Sequence, residues 1–169
     1  MLKKSGFSRF MAHLLATPWQ FKRHFSQQAL VNIEKATAAS ERSHDGEIRV
    51  VVEGSLSPLH ILHGMTPRHR AIELFSQLRV WDTAANNGVL IYLLLADRDV
   101  EIIADRGIHQ HVGDAGWEAI CREMEAMFRQ SHFETGVLHG ITRIGAALQQ
   151  HFPPTSDDQN ELPDAPLVL

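Results

Sequence analysis

Two groups of polar side chains in this sequence have the types and placement to do chemistry, and both depend on one stretch, Asn86 to Gly107, NNGVLIYLLLADRDVEIIADRG. Asp82, Asn86, Asn87 and Asp105, with Arg106 beside them, gather carboxylate and amide oxygens of the kind a hard cation such as Ca²⁺ or Mg²⁺ takes. Glu53, Asp97 and Asp99, with Ser55 and Ser57, form the second group. Each also has a structural reading. Asn87-Gly88 suits a turn, Asp105 can accept backbone N–H bonds and pair with Arg106, and Asp97-Arg98-Asp99 is the composition of an exposed tight turn.

The stretch that positions them reads as an antiparallel hairpin. Val89 to Ala96 is an unbroken apolar run, Val100 to Ala104 is a second, and only Asp97, Arg98 and Asp99 are polar between them. A two-residue loop at Asp97-Arg98 pairs Ala96 with Asp99, Leu94 with Glu101, Tyr92 with Ile103 and Leu90 with Asp105. Asp105 then returns to the end where Asn86 and Asn87 start the first strand. About eight residues at ~3.3 Å each separate the ends by roughly 26 Å, so the two groups cannot form one site. Neither strand has a polar face, and a sheet apolar on both sides needs a layer on each side.

The remaining elements follow from caps and periodicity. Ser26 to Ser43 reads as a capped helix with Leu30, Ile33, Ala36 or Thr37, and Ser40 inward. Glu47 to Glu53 reads as a strand and Gly54 to Met65 as a loop. Thr66-Pro67 opens a helix that buries Ala71, Leu74, Phe75, Leu78 and Trp81. Strand, helix and strand in this order predict a βαβ unit, which places Glu53 and Asp97 at the strands' carboxyl ends, where α/β sheets bind ligands. Asp105 to Gly113 reads as a polar loop, and Asp114 as the cap of a helix to about Arg129. A last helix, about Phe133 to His151, carries the stripe Val137, Ile141, Ile144 and Leu148, with Gly136 and Gly140 allowing close approach. The expected fold is an α/β/α sandwich: a small mixed sheet, βαβ plus hairpin, with helices on both faces.

Residues 1–25 are basic and free of acids, and Phe7, Phe10, Met11, Leu14 and Leu15 fall on one helical stripe. The stripe suits docking on the domain or contact with an anionic membrane surface. Residues 26–154 hold the domain, and the acidic, proline-containing residues 155–169 read as a disordered tail. Net charge of −4 argues against a nucleic-acid binder. One cysteine, Cys121, excludes an internal disulfide, and its place on an apolar stripe marks a packed thiol. No run has the length of a membrane span, so the expectation is a reducing cytoplasm with peripheral membrane contact through residues 1–25. His60 with His63, and His109 with His111, have chelating spacings, but eleven histidines produce such pairs by chance. No P-loop, G-x-S-x-G, G-x-G-x-x-G or H-E-x-x-H occurs, and no organic cofactor is expected.

The words GEIRVVVEGSL, LFSQLRVWDT, NNGVLIYLLLADRDVEIIADRGI and W-E-A-I through the last helix, in this order from Gly46 to Phe152, resemble the TPM domain family. The resemblance implies an α/β/α sandwich and a role beside membrane-protein complexes, with divalent-cation binding in some members. Phosphatase activity has been proposed for plant members. The implied function is a non-catalytic accessory or interaction module acting beside a membrane protein or complex. The alternative is a metal-dependent acid phosphatase, with Asp105 and Arg106 supplying two of the parts phosphoryl transfer needs.

Overall fold

The computed structural model describes residues 6–16, 18–155 and 160–169, and the side chains of all of these except residues 6, 7 and 18–20. Phe7 of the N-terminal stripe therefore lies outside the described side chains. The helices are α1 (Gly6–Leu14), α2 (Pro18–His24), α3 (Gln27–Glu41), α4 (Pro58–Leu62), α5 (Pro67–Gln77), α6 (Arg106–Arg129) and α7 (Phe133–His151). The strands are β1 (Ile48–Glu53), β2 (Val89–Leu94), β3 (Asp99–Ala104) and β4 (Leu167–Val168), in the sheet order β3-β2-β1-β4.

The expected sandwich is what forms. β1 and β2 are parallel neighbours joined through α4 and α5, and β3 returns antiparallel beside β2. Alternate residues of each strand serve opposite layers. Ile48, Val50, Val52, Val89, Ile91 and Leu93 pack with α3, α6 and α7, while Val51, Leu90, Tyr92 and Leu94 pack under α5. All residues of β1 and β2 are buried. The caps expected at Ser26 and Thr66 form, whereas Asp114 lies within α6. The Ser26 side chain accepts from Ala29 N–H, and that of Thr66 accepts from His69 N–H. On α7 the stripe Val137, Ile141, Ile144 and Leu148 is buried. A Cβ at Gly136 would strike the Phe128 ring and one at Gly140 the Met124 sulfur, so the two glycines set the α6–α7 approach.

Five expectations are corrected. The hairpin register is shifted: Leu94 pairs with Asp99, Tyr92 with Glu101 and Leu90 with Ile103. The loop spans four residues, 95–98, closed by an Arg98 N–H to Leu95 O bond of 3.0 Å with Arg98 at φ 53°. A shift of two leaves every side chain on its expected face. Asp105 does not open a loop but caps α6, which kinks at Gly113 (φ 67°). The 54–65 segment contains α4, whose cap Ser57 accepts from His60 N–H, and Trp81 stands exposed instead of buried.

The fifth correction is the tail. Residues 160–169 are ordered against the free edge of β1, with β4 parallel to it. The Glu47 carboxylate accepts from the N–H groups of Glu161 and Leu162. The Arg49 guanidinium donates to the carbonyls of Pro163 and Ala165. An edge strand offers a row of backbone donors and acceptors to any extended chain, so pairing there makes little demand on composition. Residues 156–159 of the expected tail lie outside the described residues.

Candidate functional site

The hairpin brings two different environments to the two ends of the sheet, as the strand lengths require. At the amino end of β2, Asn86, Asn87 and Asp105 come together. The Asn87 amide N–H donates to Thr83 Oγ1 (3.1 Å) and its Nδ2 donates to the Asp45 carbonyl (2.8 Å), while its fully buried Oδ1 has no partner. Asp105 N–H donates to Gly88 O (2.8 Å), and Asp105 Oδ1 accepts from Arg106 N–H (2.6 Å). Asp105 Oδ2 is buried and also unpartnered. Asn86 is held at φ 54°, and its carbonyl and that of Ala85 press on α6 at Gly107, where a Cβ would not fit. Asp82 stands outside this group, exposed, and Arg106 also faces solvent. The end therefore offers two orphaned oxygens, one of them a carboxylate's. Against that, the first turn of α6 presents the positive end of its dipole there, which weakens a cation site.

The carboxyl end is built differently from the solvated tip that the composition suggested. Glu53 is buried and accepts from Arg70 Nε (3.0 Å) and Nη2 (3.3 Å) and from the Tyr92 hydroxyl (2.8 Å). Burial first, then the Glu53 charge, pushes the Tyr92 hydroxyl far above its ordinary pKa. Asp97 is buried too. Its Oδ2 accepts from Arg9 Nε (2.9 Å) and lies 3.2 Å from His13 Nε2. His13 Nδ1 accepts from Leu56 N–H (3.0 Å), so the ring carries its proton on Nε2, toward Asp97. Burial works to raise the Asp97 pKa, but the close His13 and Arg9 side chains outweigh it and hold the carboxyl below its usual range. Asp99 has no such partners among the described residues, and burial followed by the charges of Glu101 and Glu125 pushes it up to about 7. Ser57 is the cap of α4.

Arg9, His13 and Arg70 are missing from the sequence reading. A polar residue on a helix carries no sign of whether it faces water or an acid eighty residues away.

Beside Asp97 lies a cleft of about 1550 Å³. It runs between the α1–α2 segment, the carboxyl ends of β1 and β2, the end of β4 and the α6–α7 turn. The cations Lys22, Arg23, Arg98 and Arg129 line it, and the acid among its lining residues, Asp97, is the one held by Arg9 and His13. The His24 ring packs tilted against Phe133, with ring centroids 4.4 Å apart. Burial first, and then Arg23 and Arg98, depress its pKa, so the ring is neutral at pH 7.

The other candidates are spent on structure. His111 stacks on His151 at 4.1 Å, and His63 is exposed at the end of α4. Burial, then Glu101, pushes the Cys121 thiol up to about 12, which makes it a poor nucleophile. Among the described residues no three His, Cys, Asp or Glu side chains converge to hold a metal ion, and no helix is long and apolar enough to cross a membrane.

Comparison with known proteins matches this arrangement to a family. The model of the TPM domain matches residues 20–147. The solution structure of the BA42 protein from the psychrophilic bacterium Bizionia argentinensis is similar at 30% identity and a TM-score of 0.75, covering 85% of this chain and 94% of that one. The N-terminal domain of a protein from P. gingivalis shares the fold at 21% identity and a TM-score of 0.58, over 77% of this chain and 82% of that one. No curated protein matches the chain. With the family model spanning most of its length and a relative alike over nearly the whole of both chains, the protein belongs to the TPM domain family.

Proposed function

We propose that this chain is a non-catalytic accessory module that works beside a membrane protein or complex, held peripherally at the cytoplasmic surface by its N-terminal helices. The observation that carries the reading is the distribution of exposed apolar side chains. Leu14 (54% exposed) on α1, and Leu59 (66%) and Leu62 (70%) on α4, belong to two helices packed on each other. Exposed leucines on adjoining short helices, next to the basic α2, suit an anionic membrane surface. The acids that could serve chemistry support a non-catalytic role: Arg70 and Tyr92 occupy Glu53, Arg9 and His13 occupy Asp97, and a helix cap occupies Asp105 Oδ1. Co-sedimentation of the full chain with vesicles containing phosphatidylglycerol, at low and high salt, tests the membrane contact. Binding that is equal for neutral and anionic vesicles, or absent from both, refutes it. Capture of partners from native membranes then tests the accessory role.

A second reading rests on the orphaned oxygens. Asn87 Oδ1 and Asp105 Oδ2, helped by the Asn86 carbonyl, would hold a weakly bound Ca²⁺ or Mg²⁺. Amide shifts at Asn87 and Asp105 during Ca²⁺ titration support this site, and shifts confined to Asp97 and Asp99 place the ion at the other end. The phosphatase alternative requires Asp105 to act as nucleophile through its buried Oδ2. Phosphate release that depends on Mg²⁺, Ca²⁺ or Mn²⁺ and is lost in Asp105→Asn would replace the accessory reading.

A further inference from the structure

The cleft at the carboxyl end of the sheet combines an apolar floor with cations at its rim. Its floor is apolar: Phe21 and Leu95 pack against the main core, and Phe133 is part of it. Leu15, Val168 and Leu169 at its sides are among the eight large apolar side chains left exposed among the described residues. Its charge is opposite to that of the chain as a whole. Lys22 and Arg98 have no acidic partner among the described residues, and Asp97, which could have balanced them, is turned to Arg9 and His13. The position, outside the carboxyl ends of two parallel strands, is where α/β sheets receive ligands.

We propose that this cleft binds one single-chain anionic amphiphile, a long-chain carboxylate of the fatty-acid class, with its chain along Phe21, Leu95 and Phe133 and its head group at Lys22 and Arg98. A bilayer meets an outer surface. A molecule lying between the α1–α2 wall and the sheet end has to enter as a monomer, so the occupant is a free chain and not a lipid in its membrane. The proposal does not depend on membrane contact by α1 and α4.

The test uses the isotope-labelled full chain with sodium dodecanoate below its micelle concentration, dodecyl maltoside as the uncharged control, and phosphatidylglycerol vesicles as a separate arm. Dodecanoate should give saturable one-site shifts at Gly54, Ser55, Ala96 and Leu169. The uncharged amphiphile should bind at least about tenfold more weakly. The double variant Lys22→Glu, Arg98→Glu, both exposed positions, should melt like the parent and bind dodecanoate about tenfold more weakly or worse. Dodecanoate binding without vesicle binding upholds the cleft and removes the membrane reading. Cleft shifts with vesicles but not with dodecanoate overturn the proposal, as do equal binding of the uncharged amphiphile, unsaturable shifts, or a double variant that binds like the parent. Should the double variant melt early, Arg98→Gln alone, judged by the same weakening, decides in its place.

Discussion

Replacing Asp97 by alanine should detach the N-terminal helix while leaving the sheet folded. Asp97 sits in the four-residue loop between β2 and β3, with its side chain 8% exposed, and is the shared anchor of Arg9 (20% exposed) and His13 (1%). A charge-assisted hydrogen bond contributes about 1.5–3 kcal/mol. The Arg9 bond is of that kind at 2.9 Å, while the His13 contact at 3.2 Å lacks good hydrogen-bond geometry and adds less. Arg9 keeps its bond to the Met65 carbonyl and His13 keeps the one from Leu56, so neither is wholly orphaned. The expected loss is about 2–4 kcal/mol, with the free energy of docking α1 as its ceiling. Urea unfolding measures the loss, and limited proteolysis within residues 1–25 reports release of the helix. Asp97→Asn, which keeps an acceptor but no charge, should fall between. The sign with pH is fixed by the lowered Asp97 pKa: the anchor is at full strength above the ordinary carboxyl value of 3.8 and is lost as pH falls through the folded value. An Asp97→Ala protein with the parent's urea midpoint and the parent's resistance to cleavage would refute the reasoning.

Three further outcomes follow from the same structure. Removing residues 160–169 should lower the melting temperature and promote self-association in size-exclusion chromatography, because it opens the β1 edge and leaves Arg49 half-buried without its carbonyl partners; an unchanged, monomeric protein contradicts the role of β4. Glu41 is pushed up to about 9 by burial, opposed by the bond from Ile48 N–H and reinforced by Glu47 and Asp164. The folded state therefore holds a proton that the unfolded state has lost, and stability should decline as pH rises from about 4.5 to about 9, with Glu41→Gln flattening that slope in urea titrations. Leu93→Asp puts a charge at a fully buried position on β2 and should abolish cooperative melting, since a buried unpaired charge costs several kcal/mol of a total of about 5–15.

The sequence by itself determined most of the elements and the layers they form. Two unbroken apolar strands demanded cover on both faces, Thr66-Pro67 and Ser26 marked helix starts, and the spacing of Val137, Ile141, Ile144 and Leu148 marked the buried face of α7. Each of these is a local pattern, set by the strand period of two or the helical period of 3.6, so it is legible without knowing the fold. The meeting of Asn86, Asn87 and Asp105 was legible as well, because the antiparallel pairing of a hairpin places its two outer ends side by side. The hairpin register was not, since it depended on whether Asp97 faced water or the interior, and that was decided by Arg9 and His13 far away in the chain. The tail looked disordered because its composition lacks a core-forming pattern, yet it is ordered by backbone hydrogen bonds to the β1 edge and by Glu47 and Arg49. The cleft, finally, has no motif at all: Lys22, Arg98 and Phe133 become neighbours only when α2, the β2–β3 loop and the α6–α7 turn converge at one end of the sheet. Long-range polar pairing and the shape of empty space have no period along the chain, and so the tertiary structure alone decides them.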